Sequence, residues 1–186
     1  MKRLANSKAA LSNVVSTLII LVVSVLLAGV VSMYAVNITS TRTQQEALKL
    51  SKQEVWVYGD GTAFAALAID NVGGRDVVID KIQIRGVEAS WSNVYYIRRS
   101  SSISTSLNCP SSSPDWNNFT YTDGQTATFS NDTNDKPLAS GDTMILYIQN
   151  PESVTVSDIG VTIGITVFTE NAQYYVETNV KSAESA

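Results

Sequence analysis

The run VVSTLIILVVSVLLAGVVSMYAV, from Val14 to Val36, decides how the rest of the chain is read. It is built almost entirely of Val, Leu, Ile, Ala and Ser, and no Asp, Glu, Lys or Arg lies between Lys8 and Arg42. An α-helix needs about 20 apolar residues to cross a bilayer core. A helix on the surface of a water-soluble domain shows an apolar stripe and a polar face, and this stretch has no polar face. Val14, Leu18, Leu21, Val25, Leu26 and Val36 are therefore expected to make contacts with lipid first and with other helices afterwards. Gly29 is either a point of close helix approach or a tolerated glycine costing about 1 kcal/mol against alanine.

On the N-terminal side, Lys2, Arg3 and Lys8 place positive charge before the apolar run, which favours a cytoplasmic N-terminus and an exported C-terminus. A secretory signal peptide has an apolar core of about 7–15 residues followed by a small-residue cleavage site. Here the core is longer and the small residues come first, in the order Lys8-Ala9-Ala10-Leu11. That order resembles the class III, prepilin-type processing site of archaeal type IV pilins and archaellins. Ser16-Thr17-Leu18-Ile19-Ile20 is similar to the G-T-L-I-V run of archaellin helices, and Leu11-Ser12-Asn13-Val14-Val15 to the V-S-P-V-I opening of archaeal adhesion pilins. Two positions depart from the pattern. Ser12 stands where archaellins carry a glycine, and Val14 where bacterial pilins carry a glutamate. The resemblance covers about the first 50 residues and implies cleavage between Ala9 and Ala10, with the helix retained on the mature subunit.

Composition excludes several classes of function. The chain of 186 residues has 13 Lys+Arg against 17 Asp+Glu, and loss of Lys2, Arg3 and Lys8 leaves 10 against 17, a net charge of −7. Nucleic-acid binding requires a basic surface. There is no histidine, hence no His-dependent triad. Cys109 is the only cysteine, which removes an intrachain disulfide and a Cys-based zinc site; it reads as a half-buried loop thiol. No carboxylate pair stands out from turn and surface residues, so the reading is of a non-enzyme without a cofactor or a metal. Asp132-Thr133-Asn134-Asp135 has the oxygen density of a calcium loop, but Lys136 and Pro137 break the pattern, and a turn with Asx hydrogen bonds accounts for it better.

After the apolar run, Asn37 to Glu54 contains no Gly or Pro and includes the helix-forming Gln44-Gln45-Glu46-Ala47-Leu48-Lys49-Leu50. One helix is expected over 10–53, with Glu46 and Lys49 paired on one face. From Glu54 the pattern turns to strands. Val55–Tyr58 and Thr62–Asp70 flank a Gly59-Asp60-Gly61 turn, and further strands are expected at Val77–Arg85, Thr143–Gln149, Val161–Val167 and Gln173–Val180. Val161, Ile163, Ile165 and Val167 fall on one face. Seven to nine strands with polar turns give an α+β chain: a leader at 1–9, the long helix at 10–53, and an antiparallel, immunoglobulin-like β-sandwich at 54–186. A serine-rich stretch within 100–118 is expected to be a surface loop, and Asp158 an outer turn residue. Asn37, Asn118 and Asn131 carry the Asn-x-Ser/Thr pattern of N-glycosylation acceptors.

The resemblance implies a structural subunit of an archaeal extracellular filament, adhesion pilin or archaellin, that polymerises with identical copies into a helical array. Its implied partners are a prepilin/archaellin peptidase and a membrane assembly platform. The chain would sit in the cytoplasmic membrane before assembly, with no role for nucleic acid. Ser12 in place of the archaellin glycine points to the adhesion pilus over the motility filament. The alternative is a membrane-anchored surface protein that never polymerises, of the minor-pilin or archaellum-stator type. If Lys8-Ala9-Ala10 is the processing site, Lys8→Glu leaves the precursor uncleaved in the membrane, and N-terminal mass spectrometry will find Met1 instead of Ala10.

Overall fold

A computed structural model describes residues 2–43 and 45–183, with side chains described for 11–40 and 45–183. The chain divides into two units, 1–43 and 44–186. The first is a single helix, α1, over Lys2–Thr43. Its 42 residues correspond to about 63 Å at 1.5 Å per residue. Valine and isoleucine are mediocre helix formers in water. In lipid the balance differs, because only a helix satisfies every backbone N–H and C=O within a single segment.

The helix ends earlier than its composition suggests. Leu48–Val57 is a strand, β1, so Gln45–Lys52 does not extend α1. Leu48 is buried, Lys49 exposed and Leu50 partly buried, which is the period of two of a strand. The partner is Ala63–Asn71, β2, paired antiparallel from Leu48↔Asn71 to Val57↔Ala63. Tertiary pairing overrides helix propensity here, and Glu46 and Lys49 do not share a helical face. Glu46 instead accepts hydrogen bonds from Thr169 Oγ1 at 2.5 Å and from Asn171 Nδ2 and Tyr174 OH, each at 3.3 Å. The domain boundary therefore lies before Gln45, not at Glu54.

Nine further strands follow among the described residues. They are β3 (Val77–Ile84), β4 (Val87–Glu88), β5 (Val94–Arg99), β6 (Phe119–Thr122), β7 (Gln125–Ala127), β8 (Lys136–Leu138), β9 (Thr143–Gln149), β10 (Thr162–Thr169) and β11 (Gln173–Ser182). The mostly β character is as expected, but the antiparallel, immunoglobulin-like sandwich is not shown: the strands form a curled sheet. One nine-stranded sheet runs β4-β3-β10-β11-β1-β2-β9-β5, with β8 also on β3, and β6-β7 is a separate hairpin. The sheet is continuous because β11 is shared. Gln173–Asn179 pairs antiparallel with β10, and Val180–Ser182 pairs in parallel with Val55–Val57 of β1. A register shift between Ser51 and Glu54 interrupts β1, with Lys52 at φ 56°. A bulge of this kind bends and twists its strand, and the sheet curls.

Inside the curl, β1, β2, β3, β5, β9 and β10 converge on one core, which includes Val55, Leu67, Ile69, Ile82, Leu146, Ile163, Ile165 and Val167. Val161 lies just before β10 and is exposed, so only three of the four residues expected on that face are buried. A second core lies on the other face of β2 and β9. There Phe64, Ala66, Ala68, Ile145 and Tyr147 meet Leu107, Phe119, Tyr121 and Phe129 from the 100–130 segment. Trp116 is its hub, stacked on Tyr95 at 4.3 Å between ring centroids and set edge-on against Phe119 at 5.1 Å. The serine-rich stretch has no regular structure and its serines are exposed, as expected, but it also covers a sheet face through Leu107.

The segment leading into β1 is held by the turn after β2. Val72 N–H and Gly73 N–H donate to Ala47 O at 2.9 and 3.0 Å, and Gly74 N–H donates to Gln45 O at 3.2 Å. This approach requires a glycine at 73, where an added Cβ would lie 2.6 Å from Ala47 N and 2.7 Å from Gln45 O. Both are backbone atoms, so the strand entrance itself must move. Gly73→Ala is expected to cost about 1–3 kcal/mol and to raise amide exchange at Gly73 and Gly74, as measured by thermal melting and hydrogen exchange.

Candidate functional site

The distinguishing feature of α1 is its surface. Every residue from Leu11 to Ser40 is exposed, and Val14, Leu18, Leu21, Val25, Leu26 and Val36 each show between 61 and 67% of their surface. An added Cβ at Gly29 would meet nothing within 4 Å, so the glycine is not required by contacts within the chain. Three hydroxyl groups in the stretch are turned back onto the helix. Thr17 Oγ1 donates to Val14 O at 2.9 Å, Ser24 Oγ to Ile20 O at 2.7 Å and Thr39 Oγ1 to Ala35 O at 2.9 Å. This back-bonding satisfies the hydroxyl within the helix and leaves an apolar cylinder. Leu11–Ser40 is long and apolar enough to cross a membrane. A helix of this length and composition near an N-terminus can anchor a chain in a membrane or serve as a signal sequence. Lys8, Ala9 and Ala10 lie on α1, and their side chains fall outside the described residues.

The β unit places the remaining sequence candidates. The Asp132–Asp135 stretch forms the expected Asx turn, with Asn134 N–H donating to Asp132 Oδ1 at 3.0 Å. The loop also encloses a cation, and the cation is the chain's own. Lys136 is fully buried, and its Nζ donates to Asp132 Oδ1 at 2.5 Å, to Asp132 O at 2.9 Å and to Asn134 O. The same ammonium lies 4.7 Å from the Trp91 ring centroid and 4.9 Å from that of Tyr96, a cation–π arrangement at both faces. Tyr96 OH donates to Asp132 Oδ2 at 2.5 Å. The Lys136 ammonium first, and the Tyr96 hydroxyl second, hold the Asp132 carboxyl down at about 2. Among the described residues no group of three His, Cys, Asp or Glu is placed to hold a metal ion.

Two other expectations change. Asp158 is buried, not an outer turn residue. Its Oδ2 accepts from Thr155 N–H and Thr155 Oγ1, each at 2.8 Å, and its Oδ1 takes Arg85 at 2.6 Å. The Thr155 backbone bond, ahead of the others, lowers its pKa. Cys109 is exposed rather than half-buried, with Sγ 3.7 Å from Tyr58 OH. Tyr58 OH donates to Pro110 O at 2.5 Å, and burial pushes its pKa up to about 12. The loop cation had one signal in sequence, a lysine directly after an Asx-rich turn, but nothing local marks that lysine as buried. Of the acceptor asparagines, Asn37 lies on α1, Asn118 in the turn before β6, and Asn131 beside β5.

The loop gives a pH dependence of defined sign. A folded-state pKa below the ordinary carboxylate value means that the contribution of Asp132 is present above about pH 4. It is lost as pH falls through about 2. Amide protection at 132–136 should follow that limb in the wild type and should lack it in Asp132→Asn. Lys136→Met, which leaves Asp132 and two carbonyls without their donor, is expected to lower stability by about 1–3 kcal/mol in denaturant titration. Compared with models of known protein families and with curated proteins, the chain matches none.

Proposed function

We propose that this chain is a structural subunit of an archaeal type IV pilus-like filament, adhesion pilin or archaellin, assembled through α1. The observation that carries the reading is the thirty-residue apolar cylinder of Leu11–Ser40, exposed on all sides, on a chain whose β unit closes its own cores. In water such a helix is tolerable only when other protein surrounds it. Identical helices can do so by repeating one non-closing contact, which generates a helical array. The β unit then forms the exterior, facing the extracellular medium. Before assembly the helix resides in the cytoplasmic membrane, N-terminus inside, where the processing peptidase removes residues 1–9 and an assembly platform extracts the subunit.

Burial of one Leu side chain contributes roughly 1.5–3 kcal/mol, whereas an unpaired buried charge costs several kcal/mol. Leu26→Lys should therefore abolish filaments seen by negative-stain microscopy, with membrane insertion checked separately by carbonate extraction. Asp123→Lys, at the exposed turn between β6 and β7, should leave them intact. The decisive comparison is the fragment beginning at Gln45, which keeps β1 whole. It is expected to be soluble, folded and monomeric in sedimentation. Polymerisation of that fragment alone would sink the reading. A surface-exposed full-length chain that starts at Met1 and forms no filaments would establish the membrane-anchored alternative.

A further inference from the structure

Three asparagines carry the acceptor pattern, and the fold separates them. Asn131 is an exposed residue whose side-chain amide is turned inward. Its Nδ2 donates to Ser92 O at 2.8 Å and to Val94 O at 3.0 Å, which uses both amide hydrogens. These bonds continue a short bridge in which Tyr96 and Ser130 exchange two backbone hydrogen bonds, each at 2.9 Å. Asp132, the next residue, is held by Tyr96 and Lys136. A sugar on Asn131 Nδ2 replaces one of those hydrogens and must occupy the space beside Ser92 and Val94. Asn37 lies in the charge-free part of α1, next to Val36 and Ile38, which belong to the apolar surface.

Asn118 is different. It is exposed, and among the described residues its side-chain amide makes no hydrogen bond; only its backbone N–H is used, donating to Asp115 O at 3.2 Å. Phe119 points into the second core. Alternation along β6 therefore sends Thr120 to the opposite side, and both Thr120 and Asn118, in the turn just before the strand, are exposed. Thr120 Oγ1 lies 3.1 Å from Thr126 Oγ1 on the open face of the β6-β7 hairpin. The acceptor amide and the hydroxyl two residues on thus face solvent together, which is the surface placement that such an acceptor requires.

We propose that Asn118 is the N-glycosylation site of this chain and that Asn131 is a structural amide that stays unmodified. The inference rests on the reading that the β unit is exported. The donor is an oligosaccharide linked through phosphate to a membrane lipid. Asn118 Nδ2 forms a bond to the anomeric carbon of the first sugar. The bond from that carbon to the phosphate oxygen breaks, its electron pair leaves with the lipid phosphate, and the amide gives up one proton to base. The selection acts where the transferase meets the folded domain, in which the Asn131 amide is already engaged. A glycan at Asn118 projects from the folded domain, while one at Asn131 breaks the contacts that close the loop onto β5.

The test expresses the full chain in a host that exports it and carries an N-linked oligosaccharyltransferase. Labelling of Cys109, an exposed residue, in intact cells by a membrane-impermeant maleimide reports export independently of the sugar. The expected result is a glycan mass on the peptide containing Asn118 and none on that containing Asn131. The glycan is lost in Asn118→Gln and kept in Asn131→Gln. For chains made without the transferase and melted in detergent, Asn131→Gln should lower Tm by about 3–6 °C, and Asn118→Gln should leave it unchanged. A labelled Cys109 with Asn118 bare, or with sugar on Asn131, overturns the site assignment and leaves the export reading standing. An unlabelled Cys109 overturns the export reading and the site assignment with it.

Discussion

Strand β2 is buried on both faces, and most of the β unit follows from that constraint. Ala63, Ala65, Leu67 and Ile69 face the inside of the curled sheet, while Phe64, Ala66 and Ala68 face the second core. A strand covered on both faces needs a neighbour on each edge and a layer on each side, because its N–H and C=O groups have no water to turn to. The edges are supplied by β1 and β9. One layer is the curled sheet itself. The other is the 100–130 segment, in which Trp116 brings Phe119, Phe129 and Tyr147 around it. The alanines of β2 serve this purpose. Side chains that small let covering groups approach closely from both sides.

The same constraint ends α1. Gln45–Leu50 has the composition of a helix, yet β2 would lose its edge partner along Ile69–Asn71 if the helix ran on. The docked turn at Val72–Gly74 and the carboxylate of Glu46 hold that segment as a strand entrance. The C-terminal end of the helix expected over 10–53 is thus taken into the sheet.

Several polar side chains have structural tasks in the fold. Lys136 supplies the positive charge that an oxygen-rich loop would otherwise take from solution, and Asp158 caps a turn while it pairs with Arg85. Asn131 stitches a loop to a strand. The acidic loop resembles a cation site because it is one, occupied by a tethered ammonium. Charge and hydrogen-bond demand of this kind accompanies burial, and burial is set by parts of the chain far away in sequence.

What the sequence by itself determined is the apolar helix, the positions of the central strands, and the absence of histidine. Val14–Val36 is apolar in every direction of the helical wheel, so its need for lipid or protein is a local property of composition. Strands such as Thr143–Gln149 and Gln173–Val180 were legible for the same reason, since alternation and turn residues are short-range signals. Only the tertiary structure decided where the helix stops, that β11 joins the sheet into one curl through a parallel pairing with β1, and that the serine-rich stretch is a cover as well as a loop. It also decided which acceptor asparagine has its amide turned inward and which does not. Each of these depends on a contact between residues dozens of positions apart, as in Asn131 with Ser92 or Val55 with Val180. No periodicity within a single segment encodes such a pairing.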